Sequence, residues 1–188
     1  MNKKRIILAV TGASGTVYAI SLVKALADRD DVELHVIISA AAQKVLSMET
    51  DFPLDALTDG SHSIHDPSNI AAPPASGSWQ HAGMIICPCS MATLSAVATG
   101  SGHTLIHRAA SVTLKERRKL ILVPREAPLN TIHLQNLLTA DNAGAIILPA
   151  CPGFYHRPET IEDIADHLAG KILDQLDIPH SLYKRWGE

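Results

Sequence analysis

Aromatic residues are scarce in this chain: phenylalanine, tryptophan and tyrosine together make up 4% of its 188 residues. The core therefore has to be aliphatic, and a hydrophobic content of 46% is sufficient for one. Charged residues are also few, at 19%. This length suits a single domain with a sizeable core, so we predict one domain over residues 1–188. The composition also favours a protein that buries surface between subunits.

Charge and cysteine content exclude several protein classes. A net charge of −3 argues against a general nucleic-acid binder, which needs a basic face. Three cysteines, an odd number, argue against a disulfide framework and favour a reducing compartment. The basic N-terminus precedes an apolar run that ends at Thr11, which is too short for a signal peptide or a membrane span. We therefore expect a cytoplasmic protein.

Metal-ligand patterns are also missing. The ten histidines are scattered without a ligand spacing, and Cys87 and Cys89 are too close together for a common zinc pair. We expect these two cysteines to be buried thiols that behave as small apolar residues. The acidic run 28–31 follows a predicted helix, at the end of the sheet opposite ligands, so we reject it as a magnesium site. The sequence predicts no metal site.

The first strand, turn and helix organise the chain. Residues 5–10 are almost continuously apolar, as in a buried parallel strand, and residues 19–26 carry one apolar helical face. The turn between them contains Gly12, Ser14 and Gly15, which can offer backbone N–H groups and a hydroxyl to an anion. Its G-x-x-G spacing is neither a dinucleotide fingerprint nor a P-loop. A tight turn without a ligand therefore stays open beside anion binding.

Strands and helices alternate through the rest of the chain, which predicts an α/β fold: a Rossmann-like (flavodoxin-like), doubly wound, mainly parallel sheet with helices on both faces. Further strands are expected at 33–39, 83–87, 120–124 and 145–149. The stretch 51–81 is rich in proline, glycine and serine, and we expect an ordered irregular segment over a ligand or a subunit contact. A capping box at Thr160 and Asp163 starts the last helix.

Polar side chains follow the predicted strands and should meet at the carboxyl edge of the sheet, where open α/β sheets bind ligands. They are Ser14, Ser39, Ser90, Thr93, Arg125, Glu126 and Tyr155. Hydroxyls, helix N-termini and one arginine suit a phosphate-bearing nucleotide or flavin. Helix capping by Ser39 and ion pairing of Arg125 with Glu126 stay open as structural roles. The reaction does not follow from these residues.

Six blocks of sequence carry a resemblance that spans essentially the whole chain: residues 11–15, 87–90, 94–100, 114–118, 122–129 and 152–158. Together and in this order they resemble the UbiX-type flavin prenyltransferases. The resemblance implies a Rossmann-like subunit in a homododecamer. It also implies a metal-independent reaction that joins a dimethylallyl group from dimethylallyl monophosphate to N5 and C6 of reduced FMN. The prenylated FMN then serves a UbiD-type decarboxylase, in ubiquinone biosynthesis or in aromatic-acid breakdown.

The resemblance also implies roles for individual residues. FMN binding falls on Gly12, Ala13, Ser14, Ser39, Ser90, Met91, Ala92, Thr93 and Arg125. Binding of the prenyl donor falls on Tyr155, Lys171, Arg108, Lys115 and Glu126, with Trp79 as an apolar wall. The catalytic set is Ser14, Glu49, Glu126 and Lys115, in which Glu49 handles a proton beside Ser14. Taken alone, Glu49 reads as a surface acid, and Arg108 and Lys115 read as solvated side chains.

Departures from the family pattern and rival functions leave some questions open. Lys171 stands where many members carry arginine, so a point charge replaces a planar fork. The sequence does not decide between a monophosphate, a diphosphate or a longer prenyl donor. One rival is a flavin-dependent decarboxylase acting on a cysteine-derived substrate. Another is an FMN-binding accessory subunit of a decarboxylase, but a carrier needs none of Glu49, Lys115, Glu126 and Tyr155.

Overall fold

A computed structural model describes residues 3–187 and shows one parallel sheet with helices on both faces. The strands are β1 (Lys4–Val10), β2 (Val32–Ile38), β3 (Ser63–His65), β4 (Gly83–Cys89), β5 (Lys119–Pro124) and β6 (Ile146–Ile147). The helices are α1 (Thr16–Ala27), α2 (Ala40–Glu49), α3 (Met91–Thr99), α4 (Leu105–Lys115), α5 (Thr131–Asn142) and α6 (Ile161–Gln175). Short 3₁₀ turns lie at Leu54–Leu57 and Pro73–Ala75. The α/β prediction is confirmed.

The strand order is β3-β2-β1-β4-β5-β6, and every neighbouring pair is parallel. Strands β2 and β3 are added on one side of β1, and strands β5 and β6 are added on the other side, beyond β4. The order therefore reverses between β1 and β4, and the loops after these two strands border a crevice at the carboxyl edge. This topology places the Gly12–Gly15 turn at the point where a doubly wound sheet binds its ligand.

The core is aliphatic and forms two layers, one on each face of the sheet. Ile6 and Leu8 of β1 pack with the buried faces of α1 and α6, while Ile7 of the same strand faces α3 and α4. All three cysteines are free. Cys87 and Cys89 are fully buried as predicted, and burial raises the pKa of the Cys89 thiol to about 12. Among the described residues, no helix has the length and apolar character needed to cross a membrane.

Three local predictions differ from the structure. Segment 51–81 contains the short strand β3, which pairs with β2 although Ile64 at its centre is 60% exposed. The last strand covers only Ile146–Ile147, not 145–149, although the N–H groups of Leu148 and Ala150 still donate to carbonyl oxygens of β5 at 2.9 and 3.0 Å. The helical spacing of Ile161 with Leu168 and Ile172 predicts a place on the buried face of α6, but Ile161 is 72% exposed. It stands in the first turn of that helix, which borders an open groove.

Candidate functional site

The turns after β1 and β4 are tied together by the side chain of Thr11. Its hydroxyl donates to the carbonyl oxygen of Pro88 at 2.7 Å and accepts from the N–H of Ser90 at 2.9 Å. The side chain is 2% exposed, so this link is shielded from water. The glycine turn and the start of α3 are therefore held side by side, as the sequence predicted for the carboxyl edge.

The two glycines of the first turn are required by packing. A Cβ at Gly12 would lie 2.5 Å from the Cβ of Ala41 in α2, so only glycine permits this close approach. Gly15 has φ +105°, and a Cβ there would lie 2.8 Å from the ring of Tyr18. Both glycines would be needed without any ligand, which explains them as a tight turn and leaves ligand binding to be argued from other groups.

The carboxylate of Glu49 occupies the N-terminus of α1. It accepts from the N–H of Gly15 at 2.9 Å, and from the N–H and the hydroxyl of Thr16, each at 3.1 Å. Partial burial opposes ionisation, but these bonds and one from the Ser14 side chain prevail and lower the pKa of Glu49. The structure thus places Glu49 beside Ser14, as expected. The anion at this helix N-terminus is one of the protein's own side chains.

The hydroxyls after β2 and β4 begin the next helices. Ser39 accepts from the N–H of Ala42 at 3.1 Å, which confirms its capping role in α2. Ser90 accepts from the N–H of Thr93 at 3.3 Å and donates to the Thr93 hydroxyl at 3.1 Å. The first-turn amides of α3, at Met91 and Ala92, have no acceptor within their own helix, as at any helix start.

Arg125 and Glu126 follow β5 at the same edge. The N–H of Arg125 donates to the carbonyl oxygen of Cys89 at 3.4 Å, which sets the residue directly beside the end of β4. Both side chains are exposed, and Glu126 accepts from the N–H of Ala127 at 3.1 Å. The backbone of Arg125 thus lies next to the start of α3. A guanidinium and a helix N-terminus together are a combination that fits a phosphate group.

Tyr18 is a residue of this edge that the sequence analysis missed. Its phenol is partly buried in the first turn of α1, and burial raises its pKa. Arg125 lowers this pKa and Glu49 raises it, so the phenol lies close enough to feel both charges. The only sequence signal was its position, three residues after Gly15.

An open cavity of about 730 Å³ extends from the edge along α1. Ser14 and Glu49 lie at one end, and its walls include Ile20, Phe52 and Ile161. Phe52 and Ile161 are 44% and 72% exposed, so the walls present apolar surface toward solvent. The ion pair of Lys24 with Glu162 also lines the cavity, so apolar and charged groups alternate along it. Such a mixed lining suits a ligand with a charged and a hydrophobic part.

The loop after β6 brings Tyr155 against a buried histidine of α6. His167 is 5% exposed; its Nδ1 accepts from the N–H of Gly153 at 3.4 Å, and its Nε2 lies 3.2 Å from the Tyr155 hydroxyl. Burial lowers the pKa of His167, with His156 and Lys171 adding to the effect, so the ring is neutral at pH 7. Because Nδ1 accepts, the neutral ring carries its proton on Nε2 and donates to Tyr155. The tyrosine proton is left for another acceptor.

The C-terminal tail packs beside the same tyrosine. Arg185 donates to both carboxylate oxygens of Asp174 in α6, at 2.7 and 3.2 Å, and this contact lowers the pKa of Asp174 to about 2. The ring of Trp186 lies 5.3 Å from that of Tyr155, edge to face, and is still 81% exposed. The tail aromatic thus has a partner within its own chain. Glu188 lies outside the described residues.

Three residues assigned to the prenyl donor are carried by α4 and by the segment before β4. Lys115 ends α4 and leads into the start of β5, at the amino edge of the sheet. Trp79 packs 4.8 Å from His35 and 5.3 Å from the Arg5 guanidinium, near the start of β1. Since a seven-residue strand spans about 23 Å, these groups are far from the carboxyl edge. Arg108, also on α4, donates to a carbonyl of the 73–75 turn at 3.1 Å.

A polar cluster that the sequence analysis missed lies on β2 and beside β3. Nδ1 of His35 lies 3.1 Å from Nε2 of His65, and donor atoms of Glu33, His35 and His62 lie within 4.8 Å of one another. Burial, with His65 and His62 nearby, lowers the pKa of His35 to about 4. Sequence spacing gave no signal because the cluster joins two strands that are far apart in the chain.

The fold and its carboxyl edge define an α/β flavoprotein: the Flavoprotein family matches residues 1–186. The chain belongs, more narrowly, to the flavin prenyltransferase family. It is 49% identical over 199 residues to flavin prenyltransferase UbiX of Pseudomonas aeruginosa, covering 98% of this chain and 95% of that protein.

Two solved structures match almost the whole chain. A dodecameric FMN-dependent UbiX-like decarboxylase from Escherichia coli O157:H7 superposes with a TM-score of 0.94 at 40% identity, covering 98% of this chain and 100% of that one. AnUbiX in complex with FMN and dimethylallyl pyrophosphate superposes with a TM-score of 0.92 at 39% identity, covering 100% and 99%. The family resemblance read from the sequence is confirmed.

Proposed function

We propose that this chain is a flavin prenyltransferase that joins the dimethylallyl group of dimethylallyl monophosphate to N5 and C6 of reduced FMN, without a metal. The observation that carries the proposal is the composition of the carboxyl edge. An ionised carboxylate, that of Glu49, stands there at the start of α1, and the loop after β6 carries the oriented phenol of Tyr155. The subunit superposes on AnUbiX with FMN and dimethylallyl pyrophosphate. We further propose that a UbiD-type decarboxylase receives the prenylated FMN and that both proteins act in the cytoplasm.

The residues at the start of α3 fit the phosphate of FMN. The amides of Met91 and Ala92, the Thr93 hydroxyl and the Arg125 guanidinium together offer charge and donors to a dianion. Gly12, Ala13, Ser14, Ser39 and Ser90 complete the proposed FMN set. Bound reduced FMN would supply N5 and C6 as the acceptor atoms. The bond to C6 would form at the prenyl C=C, which takes up a proton while C6 gives one up.

Tyr155 and Lys171 are proposed to bind the phosphate of the prenyl donor. When the allylic C–O bond breaks, the phosphate leaves with the bonding electrons, so a donor and a cation stabilise it. His167 already donates to the Tyr155 oxygen, so the tyrosine proton is directed to a ligand oxygen. Lys171 lies four residues after His167, one turn further along α6. A lysine supplies a point charge and not the two-pronged contact of arginine.

Glu49 is proposed to accept the proton that ring closure releases. Its lowered pKa keeps it ionised at neutral pH, as a base requires. The Ser14 hydroxyl bonds to the carboxylate and orients it. The released phosphate is a second acceptor for this proton. Glu126 is proposed to lie beside the donor phosphate, where it positions the cations around it.

The remaining donor residues are proposed to come from neighbouring subunits of a homododecamer. Lys115, at the end of α4, and Trp79, before β4, lie toward the amino edge of their own subunit. Arg108 lies one turn into α4. Exposed apolar residues of α5 supply surface for contacts between subunits. They include Ile132, Leu134 and Leu138, which are 53 to 69% exposed. The E. coli UbiX-like protein is a dodecamer.

The proposal is tested by anaerobic incubation of the purified protein with reduced FMN and dimethylallyl monophosphate, without added metal, followed by mass spectrometry of the extracted flavin. We expect a gain of one C5 unit that is lost in Glu49→Gln and kept in the exposed control Glu159→Gln. Unmodified FMN that stays tightly bound would identify an accessory flavin carrier. Release of CO₂ from an offered acid would identify a decarboxylase.

Co-expression of two inactive variants tests the shared site. Glu49→Gln and Lys115→Met each disable every site in a homogeneous oligomer. If Glu49 and Lys115 of one site come from different subunits, mixed oligomers contain some sites with both native residues, and activity returns. If both residues act within one subunit, no mixed assembly has a complete site and activity stays absent.

A further inference from the structure

We propose that Glu33, His35 and His62 bind a first-row divalent cation such as Zn²⁺ at the β2 edge of the sheet. Glu33 and His35 are two residues apart on β2, so their side chains leave the same face of the strand. His62 comes just before β3, and its N–H donates to the carbonyl oxygen of Leu34 at 2.8 Å. This bond brings the His62 ring beside the other two side chains.

The donor atoms are almost at coordination distance. One atom of each side chain lies within 4.8 Å of the other two. A zinc–donor bond is about 2.1 Å long, so two donors on one tetrahedral ion are about 3.4 Å apart. The group therefore has to close by up to about 1.4 Å, and His62 is exposed and can turn its ring. Two imidazoles and a carboxylate are a set that zinc accepts, and imidazole also suits nickel, copper and iron.

The state of His35 is the second observation that points to an ion. The residue is 6% exposed, and its Nε2 has no hydrogen-bond partner among residues 3–187. A buried imidazole nitrogen without a partner is unfavourable, and a bound cation would satisfy it. The other nitrogen, Nδ1, pairs with His65 Nε2 at 3.1 Å. Metal-bound histidines make this kind of outer contact, which fixes the tautomer and directs the free lone pair to the metal.

Arg5 limits the affinity of the proposed site. Its Nε donates to Oε2 of Glu33 at 2.9 Å, so a guanidinium competes with the cation for this carboxylate. Only one of the two oxygens takes part in that bond, which leaves Oε1 for an ion. Replacing this guanidinium in Arg5→Met should therefore tighten metal binding. If the cluster had only a structural role, the same variant would show no gain in metal affinity.

A bound ion would join β2 to the segment before β3. Strand β3 has only three residues and forms the outer edge of the sheet, so few backbone bonds hold it. A cation shared by Glu33 and His62 would fasten this edge, and binding to the folded state alone raises its stability. This inference is independent of the prenyltransferase proposal, because none of its residues belongs to the carboxyl edge.

The test uses the full-length oligomer without a histidine tag, stripped with EDTA and titrated with Zn²⁺ by calorimetry, with dialysis and elemental analysis for stoichiometry. We expect one Zn²⁺ per chain and a higher Tm. His62→Ala and Glu33→Gln should each weaken Zn²⁺ binding at least tenfold, because each variant removes a ligand. His65→Phe removes the outer partner of His35 and should weaken binding roughly 10- to 100-fold. The control His103→Ala removes an exposed histidine elsewhere and should leave the affinity unchanged.

Removal of the competing guanidinium provides a result of opposite sign. Arg5→Met should tighten binding roughly two- to fivefold, the range expected for releasing one partly exposed ion pair. The proposal is overturned if Zn²⁺ uptake stays below one ion per chain. It is equally overturned if both His62→Ala and Glu33→Gln bind like the parent protein, or if His103→Ala loses as much affinity as they do.

Discussion

Replacing His167 with phenylalanine tests whether this buried ring orients the Tyr155 hydroxyl toward the leaving phosphate. Phenylalanine keeps a ring of similar size in the same space, so packing is largely preserved. It can neither accept from Gly153 nor donate to Tyr155, which removes the two contacts at 3.4 and 3.2 Å. The phenol hydrogen is then free to point away from the ligand.

The expected loss follows from one neutral hydrogen bond. Such a bond is worth about 1 kcal/mol, so kcat/KM for dimethylallyl monophosphate should fall roughly fivefold in His167→Phe. Tyr155→Phe removes a bond to a charged group, worth about 1.5 to 3 kcal/mol, and should cost roughly 10- to 160-fold. The unpaired N–H of Gly153 should also lower the free energy of unfolding by about 1 to 3 kcal/mol.

A double-mutant cycle separates positioning from a merely structural effect. If His167 acts only through Tyr155, adding His167→Phe to Tyr155→Phe lowers kcat/KM no further. The assay follows prenylated FMN anaerobically at several donor concentrations and at temperatures well below the melting point of each variant. Fully multiplicative losses, or a His167→Phe enzyme with the kcat/KM of the parent, would refute the reasoning.

Three further predictions concern stability. Gly100→Ala should lower the free energy of unfolding by about 1 kcal/mol, because Gly100 has a positive φ. Gly15→Ala should lower it by more, because Gly15 also has a positive φ and its new Cβ would lie 2.8 Å from the ring of Tyr18. Thermal melts of the two variants make the comparison. The Arg185 contact lowers the pKa of Asp174, so the ion pair stabilises the fold above the usual carboxyl pKa and loses this effect as pH falls toward 2. Asp174→Asn should therefore lower the free energy of unfolding by about 1 kcal/mol at pH 7, a figure reduced for the exposure of the pair. The variant should also depend less on acid pH than the parent protein. Glu49 has a lowered pKa as well, so Glu49→Gln should reduce the loss of stability as the pH falls below the usual pKa of a glutamate, measured in acid melts.

The fold was predictable where a short apolar run was followed by a turn and a periodic helix. The first strand and α1 fit this pattern, and the periodic apolar positions from residue 19 to 26 are buried as expected. Strand β3 was not predictable, because its sequence Ser63–His65 has no apolar alternation and the strand exists only through pairing with β2. Tertiary context decides such edge strands.

The site was predictable to the extent that parallel strands end at one edge. Ser39 and Ser90 follow strands and begin helices, so their places were fixed by topology. Glu49 was found only through family resemblance, since its contact with Gly15 spans 34 residues and leaves no local pattern. His167 had no signal, because its partners become neighbours only when the loop after β6 folds onto α6.

The helices α1 and α3 flank the crevice between β1 and β4, and their N-termini have different charge states. At α1 the amides of Gly15 and Thr16 already bind the carboxylate of Glu49, so a phosphate there would meet a negative charge that uses the same donors. At α3 the first-turn amides lie near the backbone of Arg125, and no carboxylate of residues 3–187 is bound to them. We infer that the FMN phosphate belongs over α3. Glu49 then remains at the far side of the crevice, where its carboxylate is available to take a proton.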